Sequence, residues 1–360
     1  MTKKIKTSSA LKEQKGISLS EMTSQDSINK IKKKRQNKIS ADVLARDILK
    51  GNITALSRGI TLVESKNKDH LNEANALIMT CLPYANKSIR IGITGVPGVG
   101  KSTFIETFGN FLISLGKKVA VLAIDPSSSL SKGSILGDKT RMEDLVKQPN
   151  AFIRPSASGD TLGGVARKTR ESIILCEAAG FDVIIIETVG VGQSETAVHS
   201  MVDFFLLLQL TGAGDELQGI KRGIIEMADA IAINKADGEN LKRAKIAKVE
   251  YDRTLHLYPE KSSSWQPKTA VCSALNNEGI DAIWEIIQEY IQVTKKNGFF
   301  NKKRNEQNKF WLIQTIENQI KTDFFNQSKI KKELQKQLEL IETNKTTPFA
   351  AAELLLKMKV

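Results

Sequence analysis

The chain has 360 residues, 41% of them hydrophobic, which is enough to bury a sizeable core in one large domain or in two. Its three cysteines are scattered and show no Cys-x-x-Cys spacing, so neither a disulfide framework nor a zinc site is indicated. The net charge of +13 comes from the two ends, since residues 1–38 carry +8, residues 295–360 carry +7 and residues 39–294 carry −2. Because the middle of the chain is close to neutral, we expect no nucleic-acid partner.

Residues 1–38 are rich in lysine and serine and are predicted to be a disordered basic tail. No apolar run in the chain approaches the ~20 residues that a helix needs to cross a bilayer, so no membrane partner is expected. A cytoplasmic protein is the expectation, with a targeting role for the tail left as the alternative.

A helical segment is predicted over residues 39–87, beginning after the N-cap candidate Ser40. Its helices are expected at 41–50, 53–65 and 68–82. From Ser88 the pattern changes to short apolar strands that alternate with helices, which predicts an α/β domain with a mostly parallel sheet over residues 88–297. Strands are expected at 89–94, 118–124, 151–154, 182–187, 203–210, 230–234 and 269–272.

The last segment, residues 298–360, is predicted to be helical again. Ile313, Ile316, Ile320 and Phe324 share one face of a helix, and Thr347-Pro348 is a typical helix start. A second apolar face is formed by Ile330, Leu334, Leu338 and Ile341. These faces either pack back onto the α/β domain or form a dimer surface, and we expect a homodimer.

A phosphate-binding loop follows the first predicted strand and precedes a helix. Residues 95–102 match the pattern Gly-x-x-x-x-Gly-Lys-Ser/Thr, whose glycines allow backbone N–H groups to converge on phosphate oxygens. Lys101 would neutralise the β- and γ-phosphates, and the Ser102 hydroxyl would bind Mg²⁺. The residues expected to contact the phosphates are Gly95, Val96, Pro97, Gly98, Val99, Gly100, Lys101, Ser102 and Thr103.

The sequence Asn234-Lys235-Ala236-Asp237 ends another apolar strand. In GTP-binding proteins Asn-Lys-x-Asp reads guanine, because the carboxylate accepts hydrogen bonds from N1–H and the 2-amino group. Adenine offers neither donor in that arrangement, so a buried Asp237 would be left unpaired. Ser273, Ala274 and Leu275 follow the last strand, and their backbone is expected to support the guanine O6. We therefore expect GTP or GDP as the ligand.

Acidic residues at other strand ends are candidates for the metal site. Glu187 ends a strand and takes the place of the aspartate that holds Mg²⁺ in most GTPases. Asp125 ends the second strand and Asp138 lies in the loop after it. Gln193 is a candidate for orienting the attacking water, with a solvent-facing glutamine as the alternative. The predicted catalytic residues are therefore Lys101, Asp125, Glu187 and Gln193, and the metal ligands are Ser102, Asp125, Asp138 and Glu187.

Several runs of the chain together resemble the methylmalonyl-CoA mutase-associated GTPases of the MeaB/ArgK type, over roughly residues 40–345. The matching runs are 95–103, 125–129, 152–156, 161–170, 187–195 and 234–237. This resemblance implies a homodimeric P-loop GTPase that gates cofactor loading and protects or reactivates an adenosylcobalamin-dependent acyl-CoA mutase. It also implies nucleotide or Mg²⁺ roles for Lys101, Ser102, Asp125, Asp138, Glu187 and Asp237.

The chain departs from the family at Gly159-Asp160 and in its basic tail, which leaves partner contacts open. Two other functions remain as alternatives. A metal-inserting GTPase for a nickel enzyme would need a Cys/His cluster or a His-rich tract, and the sequence has neither. A small-molecule kinase of a transport system would need a base site that accepts ATP, which Asp237 disfavours.

Overall fold

A computed structural model of the chain describes residues 40–65, 67–124, 142–155, 162–188, 194–211 and 222–358. Asp125, Asp138, Gln193 and Gly159-Asp160 lie outside the described residues, as do the predicted tail and the matching run 125–129. Within the described part of the chain, no helix is long and apolar enough to cross a membrane.

The centre of the molecule is a parallel sheet in the order β3-β2-β4-β1-β5-β6-β7. The strands are β1 Ile89–Gly95, β2 Val119–Ile124, β3 Ala151–Arg154, β4 Val183–Thr188, β5 Phe204–Gln209, β6 Ala230–Ile233 and β7 Lys268–Val271. Each lies within one residue of its predicted bounds. The central strands β1, β2, β4, β5 and β6 are short, largely apolar runs that are buried on both faces, whereas the edge strands β3 and β7 are only partly buried. The predicted α/β fold with a parallel sheet is confirmed.

Thirteen α-helices occur among the described residues. They are α1 Ala41–Leu49, α2 Ile53–Glu64, α3 Leu71–Cys81, α4 Lys101–Ser114, α5 Glu143–Lys147, α6 Leu162–Ala178, α7 Ser194–His199, α8 Arg222–Met227, α9 Asn240–His256, α10 Ile280–Lys296, α11 Phe299–Asn326, α12 Ser328–Glu342 and α13 Pro348–Lys357. The predicted helices before and after the sheet are thus found where the apolar periodicity put them.

Two hydrophobic clusters cover the two faces of the sheet. Helices α4 and α10 pack on one face, where Phe104 and Phe108 of α4 and Trp284 of α10 are buried. The other face is covered by α1 to α3 and by α6 to α9. Alternate residues of a strand enter opposite clusters, as Ile184 and Ile185 of β4 do.

The order of the strands indicates where on the sheet a ligand site is expected, at the carboxyl ends of the strands. The chain moves outward from β1 toward β2 and β3 on one side and toward β5, β6 and β7 on the other. Ligands of open parallel sheets bind beyond the carboxyl ends of the strands, at the point where the strand order reverses. That point lies at the end of β1, immediately before the glycine loop.

Candidate nucleotide-binding site

The glycine loop connects β1 to the first turn of α4, so the amino end of a 14-residue helix faces the loop. Gly100 caps this helix with φ +89°, a conformation that L side chains rarely adopt. A Cβ atom on Gly100 would also lie 3.0 Å from the side-chain nitrogen of Asn234. The amino end of the helix and its free N–H groups favour an anion at this position.

Lys101 is the first residue of α4, and its ammonium turns back into the loop. Its Nζ donates to the carbonyl oxygens of Gly95 at 2.9 Å and of Val96 at 3.3 Å. Burial lowers the pKa of the Lys101 ammonium, while the negative charges of Glu187 and Glu195 oppose that shift. Lys101 therefore lies in a partly desolvated site whose charge two carboxylates balance. Ser102 is half-buried beside it.

Asn234 joins the three loops of the site. Its side-chain nitrogen donates to the Val99 carbonyl at 2.9 Å, and its Oδ1 accepts from the Ala274 amide at 3.1 Å. The residue is only 1% exposed, so both bonds are made away from water. A single amide therefore fixes the glycine loop, the 234–237 loop and the 272–275 loop relative to one another.

The carboxylate of Asp237 is oriented by Ser273. The Ser273 hydroxyl donates to Asp237 Oδ2 at 2.8 Å and accepts from the Asn276 amide at 3.2 Å. Lys235 adopts φ +59°, and its carbonyl accepts from the Asn240 side chain, which in turn accepts from Thr211. The predicted base-reading residues thus lie together at the carboxyl ends of β6 and β7, with Leu275 exposed at the end of the loop.

Glu187 is the second-last residue of β4 and lies at the same edge of the sheet. It is 6% exposed and pairs with Ile93 of β1 and Ala123 of β2. The next residue, Thr188, donates a hydrogen bond to Thr94 at 2.8 Å, which ties the ends of β1 and β4 together. The other predicted metal and catalytic residues, Asp125, Asp138 and Gln193, lie outside the described residues.

Glu195 is a site residue that the sequence argument did not single out. It lies in the first turn of α7, is 1% exposed, and contributes to the electrostatic environment of Lys101. The run 187–195 contains it, but a polar residue in a glycine-rich stretch of sequence carries no signal of burial. Thr107 is a second site residue that the sequence did not indicate. Its hydroxyl donates a hydrogen bond to the Ala274 carbonyl oxygen at 2.7 Å.

The donors in this part of the site suit a hard cation. Ser102 and Glu187 offer oxygen ligands, which Mg²⁺ prefers, at the edge of the sheet where Lys101 also lies. Among the described residues, no group of three or more His, Cys, Asp or Glu side chains is arranged to hold a metal ion. All three cysteines are buried, and burial raises the pKa of the Cys272 thiol to about 12.

Known proteins are similar to this chain in sequence and in fold. A GTPase named ArgK from Escherichia coli is 45% identical over 84% of this chain and 92% of its own length. A mouse protein named methylmalonic aciduria type A homolog, mitochondrial, is 43% identical over 88% of this chain and 79% of its own length. The crystal structure of a protein described as LAO/AO transport system kinase matches with a TM-score of 0.72 and 37% identity, and the match covers 89% of this chain and 98% of that one.

The family model described as "Methylmalonyl Co-A mutase-associated GTPase MeaB" matches residues 56–329, which include the glycine loop, Glu187, Asn234, Asp237 and Ser273. The chain therefore belongs to the MeaB family of methylmalonyl-CoA mutase-associated P-loop GTPases.

Proposed function

We propose that this GTPase is a chaperone of an adenosylcobalamin-dependent acyl-CoA mutase, whose cofactor loading it gates by hydrolysing GTP. The observation that carries the nucleotide part is the set of bonds made by Asn234 and Ser273, which hold Asp237 and the glycine loop in one site. The client is inferred from the family description and from the name of the mouse relative.

In this proposal the backbone of residues 95–103 surrounds the β- and γ-phosphates, and the Lys101 ammonium exchanges its loop carbonyls for phosphate oxygens. Asp237 accepts hydrogen bonds from N1–H and the 2-amino group of guanine, while residues 273–275 support O6. The two carbonyls that now hold Lys101 lie within its own loop, so binding requires only a local movement of the side chain.

The Ser102 hydroxyl and the Glu187 carboxylate would hold Mg²⁺, with Asp125 and Asp138 as further ligands. When bound, the ion would neutralise charge that develops on the phosphate oxygens. Gln193 would orient the attacking water. Hydrolysis would thus depend on positioning and charge neutralisation, and the sequence singles out no arginine for the site. Intrinsic turnover is accordingly expected to be slow and to be raised by the partner.

The test is phosphate release with and without a purified adenosylcobalamin-dependent mutase from the same cell. We expect at least a severalfold acceleration and a complex on a sizing column, because the partner would order the loops around the Mg²⁺ site. Glu187→Ala is the control and should lose hydrolysis under both conditions. An unchanged rate with no complex would leave a GTPase with a different client.

A homodimer formed through the exposed face of α11 is part of the proposal. Leu312, Ile313, Ile316 and Ile320, which share this face, are all at least 46% exposed. A run of this kind along a helix is more apolar than solvent-facing helices usually are. A second copy of the chain would remove it from water.

Because the solved relative is described as a transport system kinase, the kinase alternative also needs a test. Calorimetric titration with GTP and ATP separates the two functions. A preference for GTP supports the proposal, and a preference for ATP together with transfer of phosphate to a small molecule would support the kinase.

A further inference from the structure

Helix α7 connects the nucleotide site to the opposite edge of the sheet. At its amino end, Glu195 is buried within the electrostatic reach of Lys101. At its carboxyl end, residues 200–203 lead into β5. The helix packs closely on β1, because a Cβ atom on Gly92 would lie 2.9 Å from Val198 and 3.1 Å from Val202. A shift of residues 200–202 is therefore transmitted to Glu195 with little room for adjustment.

Residues 200–203 are held by side chains of α11. Trp311 Nε1 donates to the Ser200 carbonyl at 3.2 Å, and Gln307 Nε2 donates to the Val202 carbonyl at 2.8 Å. Lys303 Nζ donates to the Asp203 carbonyl at 2.7 Å. Three consecutive turns of one helix thus bind consecutive parts of the short connection between α7 and β5.

The attachment of α11 itself does not require Gln307 or Trp311. Arg304 makes two hydrogen bonds to the buried Asp203 carboxylate, at 2.7 and 2.6 Å, and others to the carbonyls of Asn86 and Ser88. The side chains of Arg304 and Asp203 are 8% and 1% exposed. Their bonds join α11 to the residues that directly precede β1 and β5. The helix would remain in place without the two polar contacts that follow along it.

Gln307 also has a feature that a purely structural residue would not need. Its Oε1 atom is buried with no hydrogen-bond partner, while its Nε2 atom holds Val202. A buried unpaired oxygen costs free energy. A methionine at position 307 would fill the same space without that cost. The presence of an amide there is therefore explained by the hydrogen bond that Gln307 Nε2 makes to the 200–203 connection.

Arg170 of α6 supports the same turn of α11. Its guanidinium donates to the Gln307 carbonyl at 3.3 Å and to Asn308 Oδ1 at 2.7 Å, and it stacks 5.3 Å from the centre of the Trp311 ring. Arg170 and Trp311 therefore fix each other's orientation. The indole N–H is directed at Ser200 by this stacking.

We propose that Gln307 and Trp311 are positioning residues for GTP hydrolysis, which act by holding residues 200–202 and, through α7, the buried Glu195 beside Lys101. The same contacts make the distal half of α11 sensitive to the state of the nucleotide site. The inference rests on the GTPase activity and not on the identity of the client, since no contact with a mutase enters it.

The kinetic test uses the full chain with Gln307→Met and Trp311→Phe. Gln307→Met keeps the volume of the side chain, Trp311→Phe keeps an aromatic ring, and each variant removes the N–H donor. We expect kcat for GTP to fall about three- to tenfold while the Kd for GDP stays within about twofold, because a missing donor misplaces Glu195 without opening the binding loops. Gln319→Met on the exposed part of the same helix and Phe325→Leu near its end are the controls, and both should keep the original kcat.

The spectroscopic test uses the unaltered sequence with 5-fluorotryptophan in place of tryptophan. The three ¹⁹F resonances correspond to Trp265, Trp284 and Trp311, and the Trp311→Phe variant identifies one of them. We expect the Trp311 resonance to move when GDP is replaced by a slowly hydrolysed GTP analogue, with the buried Trp265 as the internal reference.

Both results are required. A Trp311 resonance that stays at one position in the two nucleotide states overturns the proposal, as does an unchanged kcat in Gln307→Met. Because the resonance is measured on the unaltered sequence and needs only Trp311→Phe for its assignment, the proposal stays testable even where Gln307→Met fails to fold.

Discussion

We expect guanine selectivity at this site to depend on one half-buried carboxylate. Asp237 already accepts a hydrogen bond from Ser273, which leaves its remaining lone pairs for the base. Asp237→Asn replaces an acceptor with a donor, so we expect GTP binding to weaken by about 1–3 kcal/mol. Xanthine nucleotide should become the better ligand, because its O2 accepts what the new amide donates. Calorimetric titration with GTP and XTP measures both changes.

Asp281→Asn on the exposed first turn of α10 is the matched control and should leave the affinity for GTP unchanged. An Asp237→Asn protein that still prefers GTP over XTP would contradict the base assignment.

His199 at the end of α7 should make stability depend on pH. Burial lowers its pKa to about 4, and the positive charges of Lys303 and Lys261 add to this shift while Asp229 opposes it. The unfolded chain then binds a proton near pH 6.5 and the folded chain does not, so stability is complete above 6.5 and falls as pH drops toward 4. The loss should reach at most about 3 kcal/mol.

Urea unfolding at pH 7 and pH 5 measures this effect. His199→Gln cannot take up the proton, so its stability should fall by less over the same interval than that of the unaltered chain. Equal losses in the two proteins would show that His199 is protonated to the same extent in the folded and unfolded states.

At the scale of single residues, the sequence predicted those side chains whose chemistry is tied to a fixed spacing. Asn234, Asp237 and Ser273 follow strands in a recognisable order, and the structure brings them together as expected. Glu195 and Gln307 have no such spacing. Glu195 is identified by its burial, and Gln307 by its hydrogen bond to Val202, which lies far away in the sequence. Neither property is visible in a sequence pattern.

At the scale of elements, the strands were predictable because each is a short apolar run, but the packing between elements was not. Apolar periodicity placed Ile313, Ile316 and Ile320 on one face of α11. It gave no sign that the first half of that helix binds the α/β core through Lys303, Arg304 and Gln307. Polar side chains that are buried as ion pairs look solvent-facing in a hydrophobicity pattern.

Close packing of α7 on β1 predicts a cost for any side chain at position 92. An alanine there would place its Cβ 2.8 Å from Phe205, 2.9 Å from Val198 and 3.1 Å from Val202. These distances require α7 or β5 to move, so we expect Gly92→Ala to destabilise the chain by about 1–3 kcal/mol and to reduce GTP turnover. Urea unfolding and phosphate release measure the two effects.

Gly223→Ala in α8 is the matched control. No atom lies within 4 Å of a Cβ at that position, and its backbone is helical. Alanine should there be neutral or stabilising by up to about 1 kcal/mol. If Gly92→Ala were equally benign, α7 would not be coupled to β1 as tightly as the distances indicate.

At the scale of the whole molecule, a buried ion pair between Arg304 and Asp203 joins the C-terminal helices to the GTPase core. A second buried pair, Arg90 with Glu177, lies next to it within the core and joins β1 to α6. Removing one partner of a buried pair leaves an uncompensated charge, at a cost of about 3–5 kcal/mol. A chain that ends before α11 would therefore lose stability for reasons unrelated to assembly, so the dimer is better tested by substitutions on the exposed face.

The proposed homodimer predicts the effect of charge on that face. Ile313 and Ile320 are 53% and 63% exposed and lie beyond the residues that bind the core. Ile313→Lys combined with Ile320→Lys should give a folded monomer, because two ammonium groups would have to be desolvated at the interface. Affinity for GDP should stay the same, since neither residue contacts the nucleotide loops. Light scattering after size exclusion measures the mass.

Leu257→Lys, at a residue that is 86% exposed at the end of α9, is the matched control and should remain dimeric. A double variant that keeps the mass of a dimer would move the interface away from α11.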